Sequence, residues 1–302
     1  MTESNEKNLK EVKESRSKEL QNNNLRFIEL KSNELKSNNL SYQDFNIESK
    51  LGKGAFGTVW LATKKAEKRQ YALKIMYPKP EFEESFKLSL TLKYPTLMNC
   101  YSVFFEKLNF QGKTSAMRMI TVLEYIDGVS LFHAVNGIKD TNNSLVLENI
   151  KRKELSYYLP DIANGLKYIH THKMIHRDIK PDNILITKDN KVKIIDYDFL
   201  TEMKPTLRRK IGTPYYLAPE IYEGRYYDEK VDLWALGVTI YYCLTTEFPF
   251  NGEDEAELMQ DVISSPIDYL KVPQKYLQMT QGLLQKDPNK RINLTEVVTL
   301  IS

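Results

Sequence analysis

The sequence predicts an α+β chain whose strands come first and whose helices follow. Between residues 42 and 125, apolar residues alternate with polar ones in short runs, the period of half-buried strands. From residue 130 onward the apolar residues recur at helical spacing, as at Leu155, Tyr158, Leu159, Ile162, Ala163, Leu166 and Ile169. Residues 174–186 then hold His176, Arg177, Asp178, Lys180 and Asn183 between two apolar shoulders, a pattern that sets charge beside a core.

Ahead of the first strand, residues 1–41 are rich in Lys, Glu, Asn and Ser. Their leucines, at 9, 20, 25, 30, 35 and 40, keep neither a helical nor a heptad period. The five-residue echo over residues 30–39 suits neither helix nor strand. This composition predicts a disordered arm with transient helix in its Lys/Glu-rich part. A docking or regulatory tail is the alternative, with Phe27 and Ile28 placed to touch the folded part.

Residues 42–51 open the folded domain as a strand, and a second strand passes through Val59, Trp60 and Leu61. Gly52, Lys53, Gly54, Ala55, Phe56 and Gly57 lie between them. Glycines let a hairpin bring backbone N–H groups close to phosphate oxygens, although this spacing alone is more often an ordinary turn. A dinucleotide fold would want a helix after the glycines, whereas the residues here favour a strand. Residues 70–76 form the next strand, with Lys74 among apolar neighbours. An unpaired ammonium is costly there, so Lys74 either finds an anion or snorkels to solvent. Pro78 and Pro80 interrupt the chain before a helix over residues 81–93, where Glu84, Leu88 and Leu92 share one face.

Two further strands, residues 101–106 and 117–125, flank a polar turn at 107–115. Residues 130–136 form a short helix, 137–144 a polar loop, and 148–170 a helix that Pro160 kinks or restarts. Residues 191–198 are a strand ending at Asp196 and Asp198. A very apolar helix spans 232–244, Phe248 to Phe250 make a turn, and 255–263 form another helix.

The 302 residues suffice for one large or two ordinary domains, and 41% hydrophobic with 27% charged residues is a globular balance. A net charge of +3 is too small to imply nucleic acid or a membrane surface. Cys100 and Cys243 lie far apart without metal-ligand spacing and read as buried free thiols in a reducing compartment. His170, His172 and His176 form no metal set. No apolar run is long enough to span a bilayer, no secretory h-region is present, and Thr2 replaces the glycine that myristoylation needs. The expectation is an intracellular, cytoplasmic chain with no membrane segment and no nucleic-acid partner.

His176, Arg177 and Asp178, followed by Lys180 and Asn183, resemble the catalytic loop of the protein kinases. The resemblance covers residues 42–301, with motifs in the family's order. It implies a bilobal protein-kinase-like α+β fold, with a small β-rich N-lobe at 42–124, a hinge at 124–128 and a larger, mainly helical C-lobe at 129–302. ATP would bind between the lobes. The implied activity is Mg²⁺-dependent transfer of the ATP γ-phosphoryl group to protein substrates, and Lys180 favours the serine/threonine class over the tyrosine class.

By the same resemblance, Asp178 would accept the proton of the attacking hydroxyl, and Lys180 would neutralise the moving phosphoryl group. Asn183 and Asp196 would hold the metal. Thr213, in the Gly212 to Glu220 stretch that resembles the end of an activation segment, would bond Asp178 and Lys180 and seat the acceptor hydroxyl. The glycine-rich hairpin of residues 52–57 would cover the phosphates. Lys74 would pair the α/β-phosphates and a helix glutamate, Glu84 by choice, with Glu83 and Glu81 as alternatives. Leu51, Val59, Ala72 and Leu185 would wall the adenine, with Leu123 behind it and the backbone of Glu124 and Ile126 on its edge. These apolar residues would suit a plain core equally well. Asp232 would accept N–H bonds from the catalytic loop, or simply cap its own helix. Arg291, in the late motif of residues 286–291, would pair with Glu220.

The chain departs from the family in several places. The link from Lys74 to Glu84 is short, and Tyr197 and Asp198 replace the Phe and Gly of the Asp-Phe-Gly motif. Tyr197 keeps the packing role if its hydroxyl finds a partner. Asp198, pointing inward, would ligate metal or repel phosphate; pointing outward, it would be idle. Arg177 often receives a phosphate in this family, and Thr201 and Thr206 are the acceptors available. Arg208, Arg209 and Lys210 occupy the usual phosphosite, so activity without loop phosphorylation is plausible. Tyr215 and Tyr242 stand where arginine-directed relatives often carry acids. A nucleotide-binding pseudokinase scaffold is the rival reading. A small-molecule phosphotransferase is disfavoured by residues 213–220.

Overall fold

The computed structural model describes residues 40–109, 115–138 and 155–301. The expectations for residues 1–39, for most of the two loops at 107–115 and 137–144, and for the start of the helix at 148–170 lie outside these residues. The described residues cluster into two compact units, residues 40–79 with 102–122 and residues 80–101 with 123–301.

The first unit opens with a 3-10 turn at Tyr42–Asp44 where a strand was expected. Ser41 accepts from the Gln43 N–H, and the Asp44 carboxylate accepts from the Ser41 N–H at 2.8 Å. This reciprocal cap bends the chain before strand β1 (Phe45–Lys53). Strands β2 (Gly57–Lys64), β3 (Arg69–Met76), β4 (Cys100–Leu108) and β5 (Ala116–Glu124) complete a sheet of order β1-β2-β3-β5-β4. β2 runs antiparallel to β3 without a register shift and sets Val59 opposite Lys74. Gly57 is obligatory, because a β-carbon there would lie 2.5 Å from the Ile75 carbonyl oxygen. Ala62, Leu73, Met119 and Ile120 are wholly buried.

The second unit opens with helix α1 (Pro80–Ser89). Proline suits the first helical position, where its missing N–H has no partner to lose. The helix stops four residues before the expected end at 93. The Ser89 and Thr91 hydroxyls bond the Phe86 and Leu88 carbonyls, and these short-range bonds compete with the helical ladder. Its buried face also differs from the expectation. Phe82, Glu83, Phe86 and Ser89 are buried, whereas Glu84 is exposed. Two phenylalanines at i, i+4 bury more apolar area than the Leu88 face, and they set the rotation of the helix.

Strand β6 (Gly128–Ser130) leads into helix α2 (Leu131–Val135), capped by the Ser130 hydroxyl on the His133 N–H. Helix α3 (Leu155–Thr171) runs through Pro160 without a restart. That proline removes a single bond, the one to the Ser156 carbonyl, and the bonds around it carry the helix. Strand β7 (Met174–Ile175) precedes the catalytic-loop residues; β8 (Ile184–Thr187) and β9 (Val192–Ile194) follow them. β6, β8 and β9 form a small sheet, and β7 pairs with β10 (Thr201–Glu202). β9 ends earlier than the expected 198, because Asp196 takes φ +64°, outside the strand region.

Helices α4 (Pro219–Tyr222), α5 (Lys230–Thr245), α6 (Glu255–Ser264), α7 (Gln274–Leu283) and α8 (Leu294–Ile301) complete the unit. α5 is buried from Val231 to Thr245, with Trp234 stacked on Phe250 at 5.7 Å. An all-round apolar helix has nowhere else to go. Both cysteines are buried and free. Among the described residues, no helix is long and apolar enough to cross a membrane.

Candidate active site

The loop between β7 and β8 is held in place from below by Asp232. Its carboxylate accepts the His176 N–H at 2.9 Å, the Arg177 N–H at 2.8 Å and the His170 ring Nε2 at 2.9 Å. Burial alone would raise this carboxyl, but the histidines and the backbone bond outweigh it and hold it below its ordinary range. Asp232 thus binds the loop itself, beyond capping its own helix. His176 is fully buried; its Nδ1 lies 3.3 Å from the Asp178 N–H and its Nε2 lies 3.2 Å from the Ile195 carbonyl. The loop bends through Arg177 at φ +66°, a left-handed conformation for a residue with a β-carbon.

This framing aims the Asp178 carboxylate at three partners, one distant in sequence and two across the loop. Its Oδ1 accepts the Thr213 hydroxyl at 2.6 Å. Its Oδ2 meets Lys180 Nζ at 2.9 Å and accepts Asn183 Nδ2 at 2.8 Å. Lys180 Nζ also donates to the Thr213 hydroxyl at 2.6 Å. Carboxylate, ammonium and hydroxyl therefore close a triangle, the contact expected of Thr213. A hydroxyl entering beside Asp178 would meet a proton acceptor and a cation together.

Asn183 spends its amide nitrogen on Asp178, on both the carbonyl oxygen at 2.8 Å and the carboxylate. Its amide oxygen is left as the donor for a cation. Its backbone carbonyl accepts the Ile195 N–H at 2.9 Å, which brings the loop beside the stretch carrying Asp196. One amide oxygen and one carboxylate are hard oxygen donors, the set that suits Mg²⁺ completed by water and phosphate. Among the described residues no cluster of three or more His, Cys, Asp or Glu side chains could hold a metal. Asp198 is 5% exposed, so the outward, idle reading does not hold; its N–H bonds Asp196 Oδ1 at 3.2 Å. Tyr197 is fully buried, and its hydroxyl donates to the Met98 carbonyl at 2.8 Å. The packing role of the absent phenylalanine is kept and a bond is added. Burial pushes this phenol well above its ordinary pKa.

Other expected residues lie as follows. In the first unit Lys74 is buried on β3, and Ala72 beside it is buried. Val59 is half-buried and Leu51 is 37% exposed. Lys53, Gly54 and Ala55 form the exposed tip of the hairpin, followed by half-buried Phe56 and Gly57. A β-carbon on Gly52 or Gly54 would meet nothing within 4 Å, leaving open space of the kind a phosphate cradle needs.

In the second unit Leu123 is buried, and Glu124, Ile126 and Leu185 are half-buried. Glu84 requires a correction. Its exposed carboxylate pairs with Lys204 at 3.0 Å, so it is not the inward carboxylate of α1; that residue is Glu83, which pairs with Lys87 at 2.8 Å.

Sequence reasoning missed two supports. Glu124 accepts Lys193 Nζ at 2.8 Å and both Asn99 nitrogens at 2.9 Å. Burial opposes its ionisation, yet these donors hold the carboxyl below its ordinary range. His170 on Asp232 was likewise unforeseen. Neither has a local spacing signal; only a polar residue in an apolar context hinted at them.

The loop brings an aspartate, a lysine and an asparagine together, with a threonine from 35 residues away, and this is the arrangement that the kinase resemblance implied. The chain belongs to the protein kinase domain family, whose profile matches residues 45–300. Protein kinase C-like 2 of Schizosaccharomyces pombe is 33% identical over 267 residues, 83% of this chain and 24% of that protein. Serine/threonine-protein kinase Sgk1 of Rattus norvegicus is 32% identical over 253 residues, 82% of this chain and 56% of that protein. Aurora kinase A-B of Xenopus laevis is 30% identical over 267 residues, covering 85% and 61%. The chain therefore spans from a quarter to three-fifths of the length of these relatives.

Proposed function

We propose that the chain is a protein serine/threonine kinase that transfers the γ-phosphoryl group of ATP to hydroxyls of protein substrates. The observation that carries this reading is the triangle of Asp178, Lys180 and Thr213. The substrate hydroxyl oxygen bonds the γ-phosphorus while the bond to the β,γ-bridging oxygen breaks and ADP leaves. Asp178 takes the hydroxyl proton. Lys180 offsets the negative charge of the moving group, and Thr213 keeps both in register.

Asn183 and Asp196 would hold Mg²⁺, which when bound screens the charge of the phosphate oxygens. By the family resemblance, the hairpin of residues 52–57 and Lys74 would take the phosphates, and Glu83, the buried carboxylate of α1, replaces Glu84 as the candidate helix glutamate. By the same resemblance, Leu51, Val59, Ala72, Leu123 and Leu185 would line the adenine, and the backbone of Glu124 and Ile126 would take its edge. The relative named as a serine/threonine-protein kinase supports the choice of acceptor, as does Lys180. An intracellular setting agrees with two free buried thiols.

The test is phosphorylation of a generic basic protein with radiolabelled Mg-ATP. Asp178→Asn is expected to lose at least about a hundredfold in rate while Mg-ATP still raises its melting temperature. The buried Asp198 beside Asp196 favours a second reading, a nucleotide-binding scaffold. Wild-type rates no higher than those of Asp196→Ala would establish that reading instead.

A further inference from the structure

Arg177 precedes the proposed base, and its guanidinium has two neutral partners. Its Nε donates to the Phe199 carbonyl at 2.7 Å, and its Nη1 donates to the Tyr227 hydroxyl at 3.3 Å. Among the described residues no carboxylate pairs with it. Tyr227 is 7% exposed and lies just ahead of α5. Its hydroxyl in turn donates to the Arg209 carbonyl at 3.0 Å, and its backbone N–H donates to the Leu207 carbonyl at 3.0 Å. One phenol thus uses both its donor and its acceptor capacity, as a buried hydroxyl must. It joins the catalytic loop to residues 207–209 of the segment that ends in Thr213. The same segment meets Arg177 a second time at Gly212, where φ is +124° and a β-carbon would lie 2.7 Å from the Arg177 carbonyl oxygen.

We propose that Tyr227 is a positioning residue that ties the segment to the catalytic loop through neutral hydrogen bonds, so that the site works without a phosphate on that segment. The proposal rests on the kinase reading above and names how that site is kept in order. Between residues 198 and 212 the aliphatic hydroxyls are Thr201 and Thr206 alone. Thr201 is buried in β10 and paired across from Ile175, where a phosphate has no room. Thr206 is exposed, and residues 207–210 carry no hydroxyl at all. A phosphate usually orders such a segment by adding charge for an arginine to grip. Here the grip is made by a tyrosine that the fold already supplies.

Three measurements on the full chain test this. Tyr227→Phe keeps the ring and removes the bridging oxygen. It should lower kcat by about tenfold, the worth of one hydrogen bond to a charged group, with KM for ATP and the melting temperature little changed. Amide exchange over residues 204–212 should quicken in that variant. Thr206→Ala, and wild type treated with a protein phosphatase, should keep the wild-type rate. Unchanged exchange in Tyr227→Phe would overturn the tether, whether or not the chain has activity. Loss of turnover on dephosphorylation or in Thr206→Ala would overturn independence from phosphate. A wild type no faster than Asp178→Asn would instead sink the kinase reading, while the exchange result still judges the tether.

Discussion

Thr213 holds the smallest part of the site that can be varied alone. Its hydroxyl gives its proton to Asp178 and takes one from Lys180, both at 2.6 Å. Thr213→Val keeps the shape and removes both bonds, so the carboxylate and the ammonium lose their shared spacer. A drop in kcat of about tenfold is expected, with KM for ATP unchanged, and Thr213→Ser should restore most of it. Steady-state kinetics on a protein substrate read both. Equal rates for the three enzymes would mean that the triangle is not used in turnover. Asp198 belongs to this scale too. It is buried, and its backbone N–H bonds the Asp196 carboxylate.

At the level of elements, the apolar helix α5 does two jobs. Its length fills the core of the second unit, and Asp232 near its start carries the catalytic loop. Replacing Asp232 by Asn keeps the volume but loses the charge that three donors face. A cost of about 3 kcal/mol is expected, read from denaturant unfolding. The pH dependence has a definite sign. The folded carboxyl is held below its unfolded value, so the folded state binds its proton less readily. Its contribution is complete above the ordinary carboxylate pKa of about 3.9 and is lost as pH falls through the lower folded value. The stability gap between wild type and Asp232→Asn should therefore narrow only in that acid window. A gap independent of pH would show that the charge is not what stabilises the loop.

At the scale of the whole molecule, the most buried ion pair among the described residues is Arg291 on Glu220. The two lie 71 residues apart, and the guanidinium reaches both carboxylate oxygens, at 2.6 and 2.7 Å. The guanidinium also bonds the Gln285 and Lys230 carbonyls and lies 5.1 Å from the Trp234 ring centre. The pair is almost wholly buried, so removing one partner strands the other in a dry site. Arg291→Met should cost about 3–5 kcal/mol, whereas joint replacement of both by apolar residues should cost less. Thermal unfolding of the single and double variants checks the order. A double variant as unstable as the sum of the singles would refute the coupling.

Some of this was legible in the chain as written. Residues 174–186 announced themselves because charges flanked by apolar runs at fixed spacing are local, and local spacing survives in sequence. The same holds for the glycine-rich hairpin, the strand with Lys74 and the apolar helix α5. Pairings implied by family resemblance, such as Asp232 with the loop and Arg291 with Glu220, also lie where they were expected. What only the tertiary structure decided was rotation and reach. Helix α1 turned on Phe82 and Phe86, which buried Glu83 and sent Glu84 to Lys204. Lys193 and Asn99 closed on Glu124, and Tyr227 bridged Arg177 to residues 207–209, across separations that no periodicity encodes. Sequence determines which groups must be buried and which must be paired. The partner each one finds depends on which apolar face wins the core, and that competition is settled only when the chain is packed.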